Sequence, residues 1–456
     1  MSITKRIVPK IPSHTFVPMW FQSSSSNVAQ PNFRFVYDTF TTVTGVTSNS
    51  RNRLYPNPNN NFSEYSPSRI FESYLYFEAF PMLTGSTGST GSWLNYKVQI
   101  GEEYGSLTTG TTTYSGLSTY TGVCLNGTLQ YSELPSWTTT TFSGYTMTAS
   151  TSEFLTNSKV DLGYLNTPET SIRGTRAYQE DWFTLSFFNN LAQSDRPIWI
   201  DVVVWNDQTQ ATAAHRIRMT SATATTATWI QHIGVGPQNL NHTSAADFVF
   251  GGTQPVIDVN RDLFYKVSIT RAANGVASEE FYFHLANKQN TSTIGKYTQR
   301  EFIFQNRRGQ AEHMTFSLVS RRTVSAERDT FQRVLDYNYT IGQRGKSVTD
   351  IRAQETLKVT TDWITESENV QVEEFLTSPE IYLLHTDATL IPYIVNTSSV
   401  QFKTNQVDKM INYEFDLQPA YAINTQRVGN QTTVASGGNN GGGGGVPIGG
   451  GNDAIT

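Results

Sequence analysis

The sequence predicts a mainly β protein, and three observations carry that expectation. Aromatic residues make up 12% of the 456 residues, with Tyr and Phe dominant, and Thr, Ser, Asn and Gln fill much of the rest. Such residues suit pleated strands and polar turns better than helices. Charged residues reach only 16%, below the roughly 25% common in soluble domains. Short segments of alternating apolar residues also recur along the chain, separated by turn residues. Their spacing predicts two or more β-sandwich units of immunoglobulin or fibronectin type, with one or two short capped helices and without a Cys-Trp-Cys signature.

Residues 1–32 read as an extended arm. Pro9, Pro12, Pro18 and Pro31 punctuate it, and Ser23 to Ser26 add a flexible stretch; proline fixes the backbone and breaks hydrogen-bond ladders. The apolar patch Phe16, Val17, Met19, Trp20, Phe21 must pack on its own body or on a neighbour. Residues 33–250 read as an N-terminal sandwich region. Phe33 to Asp38 alternates as a strand, and RLYPNPNNNF reads as a long turn. Ser66 and Pro67 then open a short helix with Ile70, Phe71, Tyr74 and Leu75 on one face. Trp93 to Ile100 is the next strand, and the Ser/Thr/Gly-rich stretch from Gly105 to Gly144 reads as loops and hairpin tips. Asp181 to Phe188, Ile198 to Trp205 and Thr226 to Val235 complete this region.

Residues 251–430 read as a C-terminal sandwich region. Its strands are Leu263 to Thr270, Glu280 to Leu285, Arg300 to Phe304, Thr315 to Ser320, Leu357 to Trp363, Ile381 to Leu384, Ile391 to Val395 and Tyr413 to Leu417. A second helix is predicted over 366–377. Thr365 and Glu368 form a capping box, Val372, Phe375 and Leu376 give an apolar face, and Pro379 helps end it. Residues 431–456 form a Gly-rich tail. The run from Gly441 to Gly445 cannot build a core, because glycine loses much backbone entropy on ordering and buries no side chain.

Composition narrows the function classes. A formal net charge of -5 argues against a nucleic-acid coat, which carries a basic balance. Cys124 is the only cysteine, so no intrachain disulfide or Cys-rich metal site forms, and a buried thiol is expected. No apolar run reaches the roughly 20 residues of a membrane helix, and MSITKRIVPKIPSH lacks the apolar core of a secretory signal. The HExxH, GxxxxGK[ST], GxSxG and DxDxDG patterns are absent. The seven histidines are scattered, and the adjacent carboxylates at Glu102-Glu103, Glu279-Glu280 and Glu373-Glu374 point to opposite faces when on strands. The expectation is therefore no enzyme, no cofactor and no metal.

Two basic spots, Arg307-Arg308 and Arg321-Arg322, fall on strand-flanking turns, where a solvated turn or an ion pair with a neighbouring subunit fits better than nucleic acid. Phe16, Trp20, Phe21, Arg307, Arg308, Gly441, Gly443 and Gly445 are the candidate assembly residues. Tyr114, Tyr120 and Tyr145, set in Ser/Thr/Gly loops, are the candidate glycan contacts, weighed against packing under their own loops.

The segments FRFVYDTF, RLYPNPNNNFSEYSPSRIFESYL, WLNYKVQIGEEYG, WIQHIGVGPQNLN, KYTQREFIFQNRRGQAEHMTFSLVSRR and LKVTTDWITESENVQVEEFLTSPEIYLL resemble structural proteins of tailed bacteriophages, including phages of Bacteroidetes-like hosts. The likeness covers most of residues 33 to 427 and consists of strands, turns and capped helices. It implies a virion component of the tail, baseplate or collar, assembled in the host cytoplasm. The implied partners are other copies of itself and other virion proteins, with no nucleic acid and no membrane insertion. A host-glycan adhesin on a fibre and a head decoration protein are the alternatives.

Overall fold

The computed structural model describes residues 5–6, 10–14, 19–43, 46–106, 111–128, 154–156, 158, 160–161, 173–188, 198–206, 211–218, 230–250, 255–258, 262–271, 275–276, 278–286, 297–335, 337–339, 341, 345–404 and 411–421. The chain divides into two units, 1–323 with 356–421 and 324–355 with 422–456. Strands dominate, as the composition predicts.

In the first unit, a five-stranded sheet runs in the order Lys10–Pro12, Thr111–Leu125, Trp93–Ser106, Arg34–Val43, Val46–Leu54. Alternation aims Phe35 and Tyr37 on one strand, and Leu94, Tyr96, Val98 and Ile100 on its neighbour, into one aromatic core. The register slips between Ile100 and Glu102. Glu102 and Glu103 are both buried after this slip, and each has a partner: Asn27 Nδ2 donates to Glu102 Oε2 at 2.8 Å, and Arg53 Nε donates to Glu103 Oε2 at 2.7 Å. A bulge places two side chains where a regular ladder would place one.

An eight-stranded sheet follows. Its main order is Val160–Asp161, Arg173–Ala177, Phe281–Leu285, Phe264–Arg271, Ile198–Trp205, Ala211–Arg218, Phe248–Phe250, with Gly275–Val276 beside Phe264–Arg271. Two three-stranded sheets, Lys5–Arg6/Met19–Gln22/Phe62–Tyr65 and Thr184–Phe188/Ile230–Gly234/Ser86–Gly88, complete this part. The last sheet joins Ala311–Phe316, Arg300–Gln305, Ile381–Leu384, Leu390–Val395, Glu414–Pro419 and the end of Lys346–Thr360. Helix Asn369–Thr377 covers its core with Val372 and Phe375. The Phe375 ring meets Phe302, Phe304, Phe316 and Phe415 at centroid distances of 5.2–5.9 Å. The capping box forms as expected, with Glu368 Oε2 accepting the Thr365 N–H at 2.6 Å.

The structure corrects four expectations. The described part of residues 1–32 is no free arm: Met19–Gln22 pairs with Phe62–Tyr65, and Lys10–Pro12 pairs in parallel with Thr111–Leu125. The Lys10–Pro12 strand stands at a sheet edge, where proline is tolerated. Ser25–Val28 is a short helix capped by the Ser24 hydroxyl. The expected boundary at 250/251 cuts a sheet, because Phe264–Arg271 lies beside Ile198–Trp205. Finally, Thr111–Leu125 is a strand within the stretch read as loops, paired along Trp93–Ser106. The helix expected after Ser66 and Pro67 spans Ser68–Glu72, with Pro67 at its N-cap.

Candidate assembly surface

The second unit is a β-hairpin over its described residues. It is built from Arg321–Gln332 and Lys346–Thr360, which continue into the first unit at their outer ends. Thr, Val and Ile favour extended backbone here. Arg333 N donates to the Gly345 carbonyl at 2.9 Å near the turn, and Ser325 Oγ donates to the Gln354 carbonyl at 3.4 Å. Arg352 Nη2 donates to Asp329 Oδ2 at 2.6 Å. That bond, with Glu327 and Asp350 nearby, raises the guanidinium pKa above its ordinary value.

Every residue of Arg321–Gln332 is exposed. The tip gathers apolar side chains: Phe331, Val334, Leu335, Tyr337, Tyr339 and Ile341 are all exposed, and Tyr337 is 100% exposed. A two-stranded ribbon is marginal in water without a third strand or a packed face. Its free backbone edges and clustered apolar residues are the features through which one chain pairs with another. Residues 324–355 carry Arg328, Arg333, Arg344, Lys346 and Arg352 against Glu327, Asp329, Asp336, Asp350 and Glu355. Balanced charge lets two identical hairpins approach without net repulsion.

The structure describes only some of the residues singled out from the sequence. Phe21 is fully buried and packs edge-on to Tyr37 at 5.6 Å, so it belongs to its own core and offers no surface to a neighbour. Trp20 lies on the strand that pairs with Lys5–Arg6 and Phe62–Tyr65; its side chain, like Phe16, Gly441, Gly443 and Gly445, lies outside the described residues. Arg307 pairs with Glu374 of its own chain at 3.3 Å, and Arg308 donates to the Phe154 carbonyl at 3.3 Å. Both arginines thus work within the unit. Tyr120 is half-buried with its ring 5.8 Å from Phe21, so it packs under its own sheet. The Tyr114 side chain and Tyr145 lie outside the described residues.

Two polar clusters in the first unit had no sequence signal. In one, Ser186 Oγ stands 2.8 Å from His232 Nδ1, and His232 Nε2 stands 3.6 Å from Glu78 Oε2. Burial opposes ionisation of Glu78, but the His232 ring, the Ser89 hydroxyl and Thr90 outweigh it and hold the carboxyl down at about 2. The residue types are those of a hydrolase triad, yet Ser186 is 2% exposed and His232 is 1% exposed, and Phe80 covers the imidazole at 4.6 Å. A nucleophile needs a path to substrate, so the cluster reads as a buried core network rather than a site open to substrate.

In the other cluster, Thr184 N donates to His313 Nε2 at 3.1 Å, and Glu301 Oε1 lies 2.8 Å from His313 Nδ1. Trp182 N donates to Glu301 Oε2 at 3.1 Å. Thr315 Oγ1 donates to Asp181 Oδ1 at 2.9 Å, and Tyr178 OH donates to Asp362 Oδ2 at 2.8 Å. These bonds tie the Arg173–Phe188 segment to the last sheet. Among the described residues no group of three or more His, Cys, Asp or Glu could hold a metal ion, and no helix is long and apolar enough to cross a membrane. No known protein-family model matches the chain, and no curated protein matches it.

Proposed function

We propose that the chain is a structural subunit of a tailed-bacteriophage particle, used in several copies in the tail, baseplate or collar, with the 321–360 hairpin as a connector between copies. One observation carries the assembly reading: a long hairpin, exposed on the strand Arg321–Gln332 and tipped with apolar side chains. Such a ribbon gains stability by adding to another chain, and a second copy fits because the outer part of the hairpin, residues 324–355, is charge-balanced. The phage assignment rests on the resemblance of the strand and capped-helix segments. In this reading the sheet units are variants of immunoglobulin- or fibronectin-like sandwiches, with parallel pairs such as Arg173–Ala177 beside Phe281–Leu285. The Gly-rich tail at 431–456 is a second connector, the work is scaffolding rather than catalysis, and the site of action is the virion.

A cross-linking experiment tests the reading. Cys124 is buried, and burial pushes its thiol pKa well above the ordinary value, so it is unreactive. A Tyr337→Cys variant then carries one accessible thiol, and a short thiol-specific cross-linker should give covalent dimers at micromolar protein. Only monomer, at every concentration and linker length tried, counts against the hairpin as a contact between copies.

A further inference from the structure

A second surface feature stands apart from the assembly reading. A cleft of about 600 Å³ opens between the segment around Tyr76 and the Gln305–Arg307 and Glu374–Glu380 segments. That volume is in the range of small-molecule sites. Tyr76 is 55% exposed on its wall.

The ring of Tyr76 is held as a platform. A Cβ on Gly91 would land on the face of the ring, almost equidistant from Cε1 and Cε2, so the backbone of Gly91 lies flat against that face. Tyr76 N donates to the Gly91 carbonyl at 3.0 Å, and the phenol oxygen lies 3.2 Å from Thr90 Oγ1. In turn, Glu78 Oε1 accepts from Thr90 N at 2.9 Å and from Gly91 N at 3.2 Å, which fixes the loop beneath the ring. The platform is thus rigid before any ligand arrives.

The polar wall alternates donors and acceptors. His14 Nε2 lies 2.9 Å from Asn126 Oδ1, and His14 Nδ1 lies 3.2 Å from Glu72 Oε1. Arg307 pairs with Glu374 at 3.3 Å. Tyr382 OH donates to Glu380 Oε2 at 2.8 Å. Paired charges of both signs suit a neutral ligand whose groups both donate and accept, and a flat aromatic face suits a ligand with an apolar side. Sugar rings have both: hydroxyls around the rim and C–H bonds on one face.

We infer that this cleft binds a neutral sugar residue, stacked on Tyr76 and hydrogen-bonded by the Glu72, Arg307 and Glu380 side of the wall. Tyr120 is not among the residues that line it.

Saturation-transfer NMR on the full chain tests it, with methyl β-glucoside, methyl β-galactoside, N-acetylglucosamine and N-acetylgalactosamine as probes, each at millimolar concentration. The expected result is transfer to at least one probe, strongest at the C–H protons of one ring face. Affinity should fall about tenfold or more in Tyr76→Ala, the upper end of an aromatic contact, be retained in Tyr76→Phe, and be unchanged in Tyr55→Ala, another exposed tyrosine. The exposed position of Tyr76 leaves the fold intact in these variants, and circular dichroism checks that. No transfer to any of the four probes overturns the inference, as does transfer that survives Tyr76→Ala. Tighter binding of N-acetyl-lysine amide than of every sugar also overturns it, since that would assign the cleft to a cation.

Discussion

His313 donates its Nδ1 proton to Glu301, 2.8 Å away, because its other ring nitrogen is occupied by the Thr184 N–H at 3.1 Å. A backbone N–H can only donate, so Nε2 must accept and Nδ1 must carry the proton. The imidazole is therefore neutral. Burial drives its pKa down to about 3. Burial also raises the carboxyl pKa values of Asp181 and Glu301 well above the ordinary range, with Glu301 adding to the shift at Asp181.

These shifts act on stability in opposite directions. Between about pH 3 and the ordinary histidine value of 6.5, the unfolded chain binds a proton that folded His313 does not, so acidification through that window destabilises the fold. Asp181 does the reverse. Its folded pKa lies above its unfolded one, so its favourable contribution is complete below the ordinary value of 3.8 and is lost as pH rises toward the folded value. Asp181→Asn keeps an acceptor for the Tyr178 N–H and removes that loss. The variant should lose less thermal stability than the parent between pH 5 and pH 8, as read by Tm across that range. Parallel Tm-versus-pH curves would show that Asp181 does not titrate between the two states.

The last sheet depends on one ring. Phe375 is fully buried and meets four other phenylalanines. Phe375→Ala should cost about 3–5 kcal/mol, the usual range for emptying an aromatic site. Denaturant titration measures it. A loss below about 1 kcal/mol would mean that the helix does not seal this core.

Gly309 closes the turn between Arg300–Gln305 and Ala311–Phe316 at φ +74, and a Cβ there would overlap the Asn126 carbonyl oxygen. Gly309→Ala combines left-handed strain with a backbone clash. It should cost at least about 2 kcal/mol by the same titration. An unchanged midpoint would show that the turn relaxes freely.

The hairpin tip should behave in the opposite way. Val334, Tyr337 and Ile341 are fully exposed, so changing all three to Ser should leave the stability of the rest of the chain within about 0.5 kcal/mol. A larger loss would mean that the tip packs on its own chain.

The sequence was legible where the signal is local. Ile381–Leu384 and Ile198–Trp205 alternate, and Thr365 and Glu368 cap the helix that follows. Legibility failed where no buried face marks the strand. RRTVSAERDTFQ is exposed at every position, so it carries no alternation to read. Thr111–Leu125 holds few apolar residues and is extended because Trp93–Ser106 supplies its ladder. The joining clusters were invisible for another reason: Thr184 and His313 are 129 positions apart, and only the folded sheets bring them together. The Tyr76 platform has the same origin, since its partner Gly91 carries no side chain to form a pattern.

Sedimentation velocity of the full chain beside the Val334→Ser/Tyr337→Ser/Ile341→Ser variant tests the central claim most directly. The account predicts that the parent forms dimers or larger closed assemblies as concentration rises through the micromolar range, and that the variant stays monomeric while keeping the same Tm. A parent that remains monomeric, or a variant that associates as strongly as the parent, would contradict the hairpin as the connector between copies.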